Sequence, residues 1–146
     1  MLSFRKFKEV YSEWLLLITW MGVIFLMSTD SFSFSKTSGY FVPFLKDLFP
    51  RIPLKTIHTL HFVLRKSGHF TEYAILSLLW FRTLQSGDKQ WSTRSALLAF
   101  FLSACYAATD EFHQSFVPSR GPSWMDVSID SIGAAFSLLS LRLSKF

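Results

Sequence analysis

Four uncharged apolar runs divide this sequence, and the last three fall furthest short of the length that a bilayer requires. The first run, residues 14–29, has sixteen residues, whereas residues 73–81, 95–109 and 131–141 give runs of nine, fifteen and eleven. A helix that crosses about 30 Å of hydrocarbon needs about twenty residues at about 1.5 Å each. If the three short runs span a membrane, each helix must therefore take charged residues into the bilayer.

The composition favours a membrane protein over a soluble one. Half of the 146 residues are hydrophobic and 18% are aromatic, which is unusual for a soluble globular domain. The fifteen Lys and Arg residues form no long block and accompany no nucleic-acid-binding motif. We therefore expect the net charge of +5 to face anionic lipid, with no nucleic-acid partner. The single Cys105 excludes an internal disulfide.

These features predict an all-α protein with one domain, residues 1–146. We expect an integral membrane bundle of four transmembrane helices, with a long interfacial loop between helices one and two. The first run also fits a signal peptide, but its length and the residues after it favour a retained helix. Within the loop, a short amphipathic helix is expected, and residues 54–64 are a candidate start for the second helix. The predicted spans are residues 12–30, 66–85, 94–113 and 126–144.

The basic residues predict the orientation of these spans. They are densest at the N-terminus, in the turn at residues 82–94 and in the C-terminal tail. By the positive-inside rule, both termini should be cytoplasmic, and the polar ends of the last three helices should lie outside the cytoplasm. The residues that carry this prediction are Arg5, Lys6, Lys8, Arg82, Lys89, Arg94, Arg142 and Lys145.

The polar residues at these outer ends share helix faces. Side chains three, four or seven residues apart in a helix lie on one side of it, so the three helices can direct their polar groups to one recess. The turn before the fourth helix adds an arginine that is either an interface anchor or a fork for a phosphate or carboxylate. We expect catalytic roles for His69, Glu72, Asp110, Glu111, Asp126 and Asp130, and substrate-binding roles for Lys66, Tyr73, Gln114 and Arg120.

Other residues near this recess are assigned structural roles. Gly133 and Ser137 lie deeper on the face of the fourth helix that carries its two acids, and their small size would let a neighbouring backbone approach closely. His58 and His61 lie in the segment before the second span. Histidines in such positions are more often polar flanks than ligands, so both are left out of the site.

The order and spacing of the site residues resemble the VanZ family. The stretches that carry the resemblance are KSGHFTEYAIL, TDEFHQ, PSRGPSWMD and DVSIDSIG, within about residues 64–137. One departure is Asp130, where many members have Asn. The resemblance implies a multi-pass protein of the bacterial cell membrane, from a family linked through its namesake to low-level resistance to the glycopeptide teicoplanin.

The charges of the predicted recess restrict its chemistry. Five carboxylates in a partly desolvated space cannot all stay ionised, so some are protonated or a divalent cation lies among them. The ligands of such a cation are not evident from the sequence.

Our first functional hypothesis is a hydrolase or transferase that acts on the phosphate-containing headgroup of a membrane lipid or of a polyprenyl-linked cell-wall precursor. Arg120 and Lys66 would hold the phosphate, and His69 would act as acid, base or nucleophile. The alternative is a non-catalytic protein that binds a lipid or a glycopeptide. A proton-linked carrier and a purely structural cluster of ion pairs are also left open.

Overall fold

The computed structural model describes residues 2–85 and 90–144, with the backbone alone for residues 2–9. These described residues form five α-helices and no strand, so the all-α prediction is confirmed. Lys89 and Lys145, and the side chains of Arg5, Lys6 and Lys8, lie outside the described part. The helices are α1 (Leu2–Met27), α2 (Phe34–Leu48), α3 (Leu54–Gln85), α4 (Thr93–Gln114) and α5 (Trp124–Ser144), and a 3₁₀ turn at Asp30–Phe32 follows α1.

α3 is the central helix, because it packs against each of the other four. Two buried apolar clusters hold the bundle together. The first joins α1, α3 and α4, and the second joins α3, α4 and α5. The first cluster consists of Leu17, Ile24, Tyr73, Leu76 and Ala107, and the second of Phe81, Ala96, Ala99 and Leu138.

α3 and α5 pack with their backbones in close contact. A Cβ atom built on Gly133 would lie 2.3 Å from the carbonyl oxygen of Phe70. Two turns further along α3, the Ser77 hydroxyl donates to the carbonyl oxygen of Ala134 at 3.1 Å and lies 2.7 Å from the Ser137 hydroxyl. The close approach predicted from the small residues of this helix is therefore confirmed.

The prediction of a long loop between the first two spans is wrong, because most of this segment is helical. Ser33 caps α2 by accepting a hydrogen bond from the amide of Lys36 at 3.4 Å. Pro43 lies inside α2 without ending it, and Pro53 directly precedes α3, where a missing amide hydrogen costs little. The expected short helix and the helical start at residues 54–64 are confirmed.

Two helices of the described chain are long and apolar enough to cross a membrane. They are Val10–Met27, within α1, and Trp124–Ser144, which is α5. Over the described residues, α3 and α4 do not meet this criterion of length and composition, so the bundle of four spans stays a prediction.

Candidate functional site

A cavity of about 610 Å³ lies between the end of α1, α2, the N-terminal half of α3 and the turn between α4 and α5. One part of its lining is apolar and comes mainly from α2, and the other part is polar and comes mainly from α3 and the turn. The apolar residues are Met27, Phe32, Tyr40, Phe41, Phe44 and Leu64. The polar residues are Ser28, Thr37, His61, Arg65, His69, Glu72 and Arg120.

Two guanidinium groups face this cavity. Arg65 donates from Nη1 to the carbonyl oxygen of Phe32 at 2.6 Å, and Arg120 donates from Nη2 to the carbonyl oxygen of Met27 at 2.8 Å. Burial and the neighbouring Arg65 charge lower the pKa of Arg120, and its Nε atom is buried with no hydrogen-bond partner among the described residues. Two like charges held beside one cavity can bind an anion, which would relieve their repulsion.

His69 also lines the cavity, and Asp130 lies behind it. Nδ1 of His69 is 3.4 Å from Oδ1 of Asp130, whose side chain is only 1% exposed. This distance is short enough for an ion pair, but the two atoms are not aligned for a hydrogen bond. Because Asp130 faces Nδ1, the other edge of the imidazole, which carries Nε2, is the one available to a molecule in the cavity.

A third polar group at the cavity is the hydroxyl of Ser28. The Ser28 hydroxyl donates to Oδ1 of Asp110 at 2.5 Å, and Nε2 of Gln114 donates to Oδ2 of Asp110 at 2.8 Å. The same amide nitrogen lies 3.2 Å from the Ser28 hydroxyl oxygen. Asp110 and Gln114 are buried and do not line the cavity. They therefore fix the Ser28 hydroxyl at the cavity surface.

Three of the predicted site residues organise the start of α5. Lys66 forms a salt bridge with Asp126, and the two side chains are 22% and 12% exposed. The amide of Asp126 donates to the Ser123 hydroxyl at 3.3 Å, and Glu111 accepts from the amide of Ser123 at 2.7 Å. These hydrogen bonds satisfy amide groups at the helix N-terminus. Lys66, Glu111 and Asp126 do not line the cavity.

The structure thus divides the ten predicted site residues into groups. His69, Glu72 and Arg120 line the cavity, and Asp110, Gln114 and Asp130 lie directly behind its surface. Lys66, Glu111 and Asp126 hold the start of α5. Tyr73 is fully buried in the first apolar cluster, and its hydroxyl has no partner among the described residues. The catalytic and binding roles given to these residues stay predictions.

Sequence reasoning missed four polar residues of the cavity, namely Ser28, Thr37, His61 and Arg65. A signal for two of them was present, because His61, Arg65 and Glu72 are four and seven residues apart and share one face of α3. The face predicted from the sequence was that of Lys66, His69 and Tyr73, with Glu72 beside it, and of these four residues only His69 and Glu72 line the cavity.

No three His, Cys, Asp or Glu side chains in the described part of the chain are arranged to hold a metal ion. The divalent cation therefore stays an expectation from the sequence.

His61 attaches α2 to α3 at the edge of the cavity. Its Nε2 lies 3.0 Å from the Thr37 hydroxyl, and its Nδ1 lies 3.0 Å from the Ser38 hydroxyl. Its ring is stacked between Phe34 and Phe41, with centroid distances of 4.4 and 4.8 Å. Burial first, and then the charges of Arg65 and His58, lower the pKa of His61.

This lowered pKa predicts that α2 detaches more readily in mild acid. The undocked state of His61 takes up a proton near the ordinary value of about 6.5, before the docked state does. Docking is therefore fully stabilised above about pH 6.5 and is weakened as the pH falls below it. We expect amide hydrogen exchange in residues 34–48, corrected for intrinsic rates, to show more opening at about pH 5.5 than at about pH 7.5.

The His61→Gln variant is the control, because glutamine can hydrogen-bond but does not titrate. It should remove the pH dependence, while His58→Gln, which changes an exposed residue of the same helix and removes only the smallest of the three causes, should keep most of it. Equal opening of α2 at both pH values in the unaltered protein would contradict the prediction.

The chain was compared with known proteins and families. No curated protein and no solved structure matches it. The sequence profile of the VanZ/LLP1 family matches residues 13–145, which include all of α2, α3, α4 and α5 and half of α1. Together with the two apolar helices, this match indicates a membrane protein. Because the match covers most of the sequence and agrees with the resemblance carried by the polar residues, the chain belongs to the VanZ/LLP1 family.

Proposed function

We propose that this protein binds the phosphate-containing headgroup of a membrane lipid, or of a lipid-linked cell-wall precursor, and hydrolyses its phosphate ester. The observation that carries the proposal is one cavity in which two guanidinium groups and a paired histidine adjoin an apolar wall. A phosphate with a hydrocarbon chain has the same division into a charged part and an apolar part. The link between the family's namesake and glycopeptide resistance agrees with a substrate in the cell envelope.

In this proposal, the protein crosses the membrane four times and the cavity opens on the outer side. α3 and α4 are less apolar than α1 and α5, and their polar side chains point into the bundle, where those of α3 meet α5 and Asp110 of α4 meets α1. The lipid-facing side of α4 would be formed by Leu97, Leu98 and Phe101, which are 65%, 42% and 62% exposed. The basic residues at the opposite end of the helices support cytoplasmic termini.

Arg65 and Arg120 hold the phosphate in this mechanism. Each guanidinium uses one N–H group on a backbone carbonyl, which fixes its orientation and leaves other donors for phosphate oxygens. Lys66, the cation first expected for this role, is already bound to Asp126. We therefore assign the second phosphate contact to Arg65.

His69 acts as the general base. Its Nε2 takes a proton from a water molecule as the water oxygen attacks phosphorus, and Asp130 stabilises the imidazolium that forms. The bond between phosphorus and the oxygen of the lipid alcohol breaks, and Glu72, in its acid form, donates a proton to that oxygen. From a phosphate monoester the products are the lipid alcohol and free phosphate, and from a phosphodiester they are the lipid alcohol and the phosphorylated headgroup. Proton exchange with solvent restores both side chains.

Binding without turnover is the second candidate function. It is favoured by the hydrogen bonds of Asp110, Glu111 and Asp126, which commit three of the five carboxylates to the structure of the bundle. The same two arginines would then provide affinity alone.

The decisive experiment is incubation of the purified full chain with phospholipids and polyprenyl phosphates, followed by mass analysis of the products. We expect phosphate release in at least one case, and we expect His69→Ala to reduce it by about a hundredfold or more, the contribution typical of a general base. The matched control is His58→Ala, which alters an exposed histidine of the same helix that does not line the cavity.

Binding is measured in parallel for each variant. A His69→Ala protein that binds its lipid phosphate but releases no product would support hydrolysis. Binding with no product from the unaltered protein would favour the second candidate, and full activity of His69→Ala would exclude the role assigned to this residue.

A further inference from the structure

The apolar part of the cavity is a continuous wall. Tyr40, Phe41 and Phe44 lie on one side of α2 and face Leu64 of α3 across the cavity. Tyr40 and Phe44 are 82% and 63% exposed, so the wall extends to the surface of the protein. A polar headgroup gains nothing from contact with this wall, whereas a hydrocarbon chain does.

The polar part of the cavity favours a terminal phosphate. Arg65 and Arg120 bring two positive charges, and Glu72 is the acidic residue that lines the same cavity. A phosphate monoester carries up to two negative charges and three terminal oxygen acceptors. A phosphodiester has one charge and two such oxygens, so it leaves part of the two guanidinium forks unused.

The volume of the cavity limits what can accompany that phosphate. At about 30 Å³ for each group of the size of a water molecule, 610 Å³ has room for roughly twenty such groups. A phosphate takes about five of them, which leaves roughly fifteen for carbon atoms. This is enough for one chain of a membrane lipid and too little for two.

We infer that the cavity binds a single hydrocarbon chain next to its terminal phosphate, so that the substrates are single-chain phosphate monoesters. This inference rests on the proposed function and narrows its substrate class. Both a lysolipid phosphate and a polyprenyl phosphate belong to this class. A two-chain lipid would have to leave one chain in the bilayer and could not use the wall fully.

The test uses the full chain in phosphatidylcholine nanodiscs with four probes: butyl phosphate, hexadecyl phosphate, farnesyl phosphate and two-chain phosphatidic acid. Binding and phosphate release are both measured. We expect hexadecyl or farnesyl phosphate to be preferred over phosphatidic acid by at least about tenfold, because their whole hydrocarbon chain can lie along the wall, whereas one chain of phosphatidic acid cannot. The hexadecyl and farnesyl arms distinguish a lysolipid source from a polyprenyl source.

A variant that fills the wall tests the location of the chain. Leu64→Trp should weaken the binding of hexadecyl phosphate by about tenfold and leave butyl phosphate unchanged, because the short chain does not reach the wall. The matched control is Leu60→Trp. Leu60 is exposed one turn earlier on α3 and does not line the cavity, so this variant should behave like the unaltered protein.

The outcomes separate failure of the single-chain inference from failure of the proposed function. Equal use of phosphatidic acid and hexadecyl phosphate, or a Leu64→Trp variant that binds hexadecyl phosphate normally, would overturn the single-chain inference while the proposed function stands. Failure of all four probes to bind would overturn both. A preference for single chains that Leu64→Trp abolishes would support the inference.

Discussion

Replacing Gly133 with alanine is expected to lower the free energy of unfolding by at least about 2 kcal/mol, because the added methyl group has no space. Its Cβ would lie 2.3 Å from the carbonyl oxygen of Phe70 and 3.2 Å from the Phe70 Cα. Both are backbone atoms, so a side-chain rotation cannot relieve the contact, and α3 must move away from α5. The measurement is reversible unfolding by sodium dodecyl sulfate in mixed micelles.

The matched control is Gly22→Ala in α1, where a Cβ would meet no atom within 4 Å. Alanine has the higher helix propensity, so this change should leave stability unaltered or raise it by up to about 1 kcal/mol. The same substitution thus has opposite effects at two helical glycines. Equal stability of the two variants would mean that α3 and α5 do not approach each other at Gly133.

The Lys66→Met variant is expected to lose about 3 kcal/mol of unfolding free energy, because it leaves the Asp126 carboxylate without its cation. The two side chains are largely buried, at 22% and 12% exposure, so solvent cannot replace the lost partner fully. The double variant Lys66→Met with Asp126→Leu should recover most of the loss, because a buried ion pair is often replaceable by apolar side chains. The Asp126→Leu variant completes the cycle, and the free energies of unfolding of the two single variants and the double variant give the coupling energy.

Lys36→Met is the control for this cycle. Lys36 lies 3.7 Å from Asp30, and these side chains are 61% and 46% exposed, so the change should cost less than about 1 kcal/mol. A double variant as unstable as Lys66→Met alone would contradict the assignment of this pair. Phosphate binding should survive in every variant of the cycle that folds, since neither Lys66 nor Asp126 lines the cavity.

The sequence predicted the helices well because helix formation depends on local pattern. The predicted spans at residues 66–85, 94–113 and 126–144 lie inside α3, α4 and α5, and most of their ends agree within two residues. The error was the loop after α1. Gly39 and Pro43 favour a break there, but the cap at Ser33 and packing against α3 stabilise α2.

The candidate site was predicted less completely because a helix face is defined only by its neighbours. Arg65 and Lys66 are adjacent in sequence, so their side chains point about 100° apart. Because α5 packs beside α3, Lys66 forms a salt bridge with Asp126. Because α2 packs on another side of α3, Arg65 lines the cavity. The spacing of polar residues places each cation on a polar face of α3, but the local sequence does not show which of these faces meets open space.

The sequence by itself determined the helical class, the family and the gathering of polar side chains toward one end of three helices, because each follows from residue type and from a period of about 3.6 residues. Only the tertiary structure decided which of these side chains pair with one another and which face open space. Those choices depend on contacts between residues far apart in the chain, such as Lys66 with Asp126 and Ser28 with Asp110. The cavity exists because α2 folds back onto α3, and packing of this kind is not encoded in any local pattern.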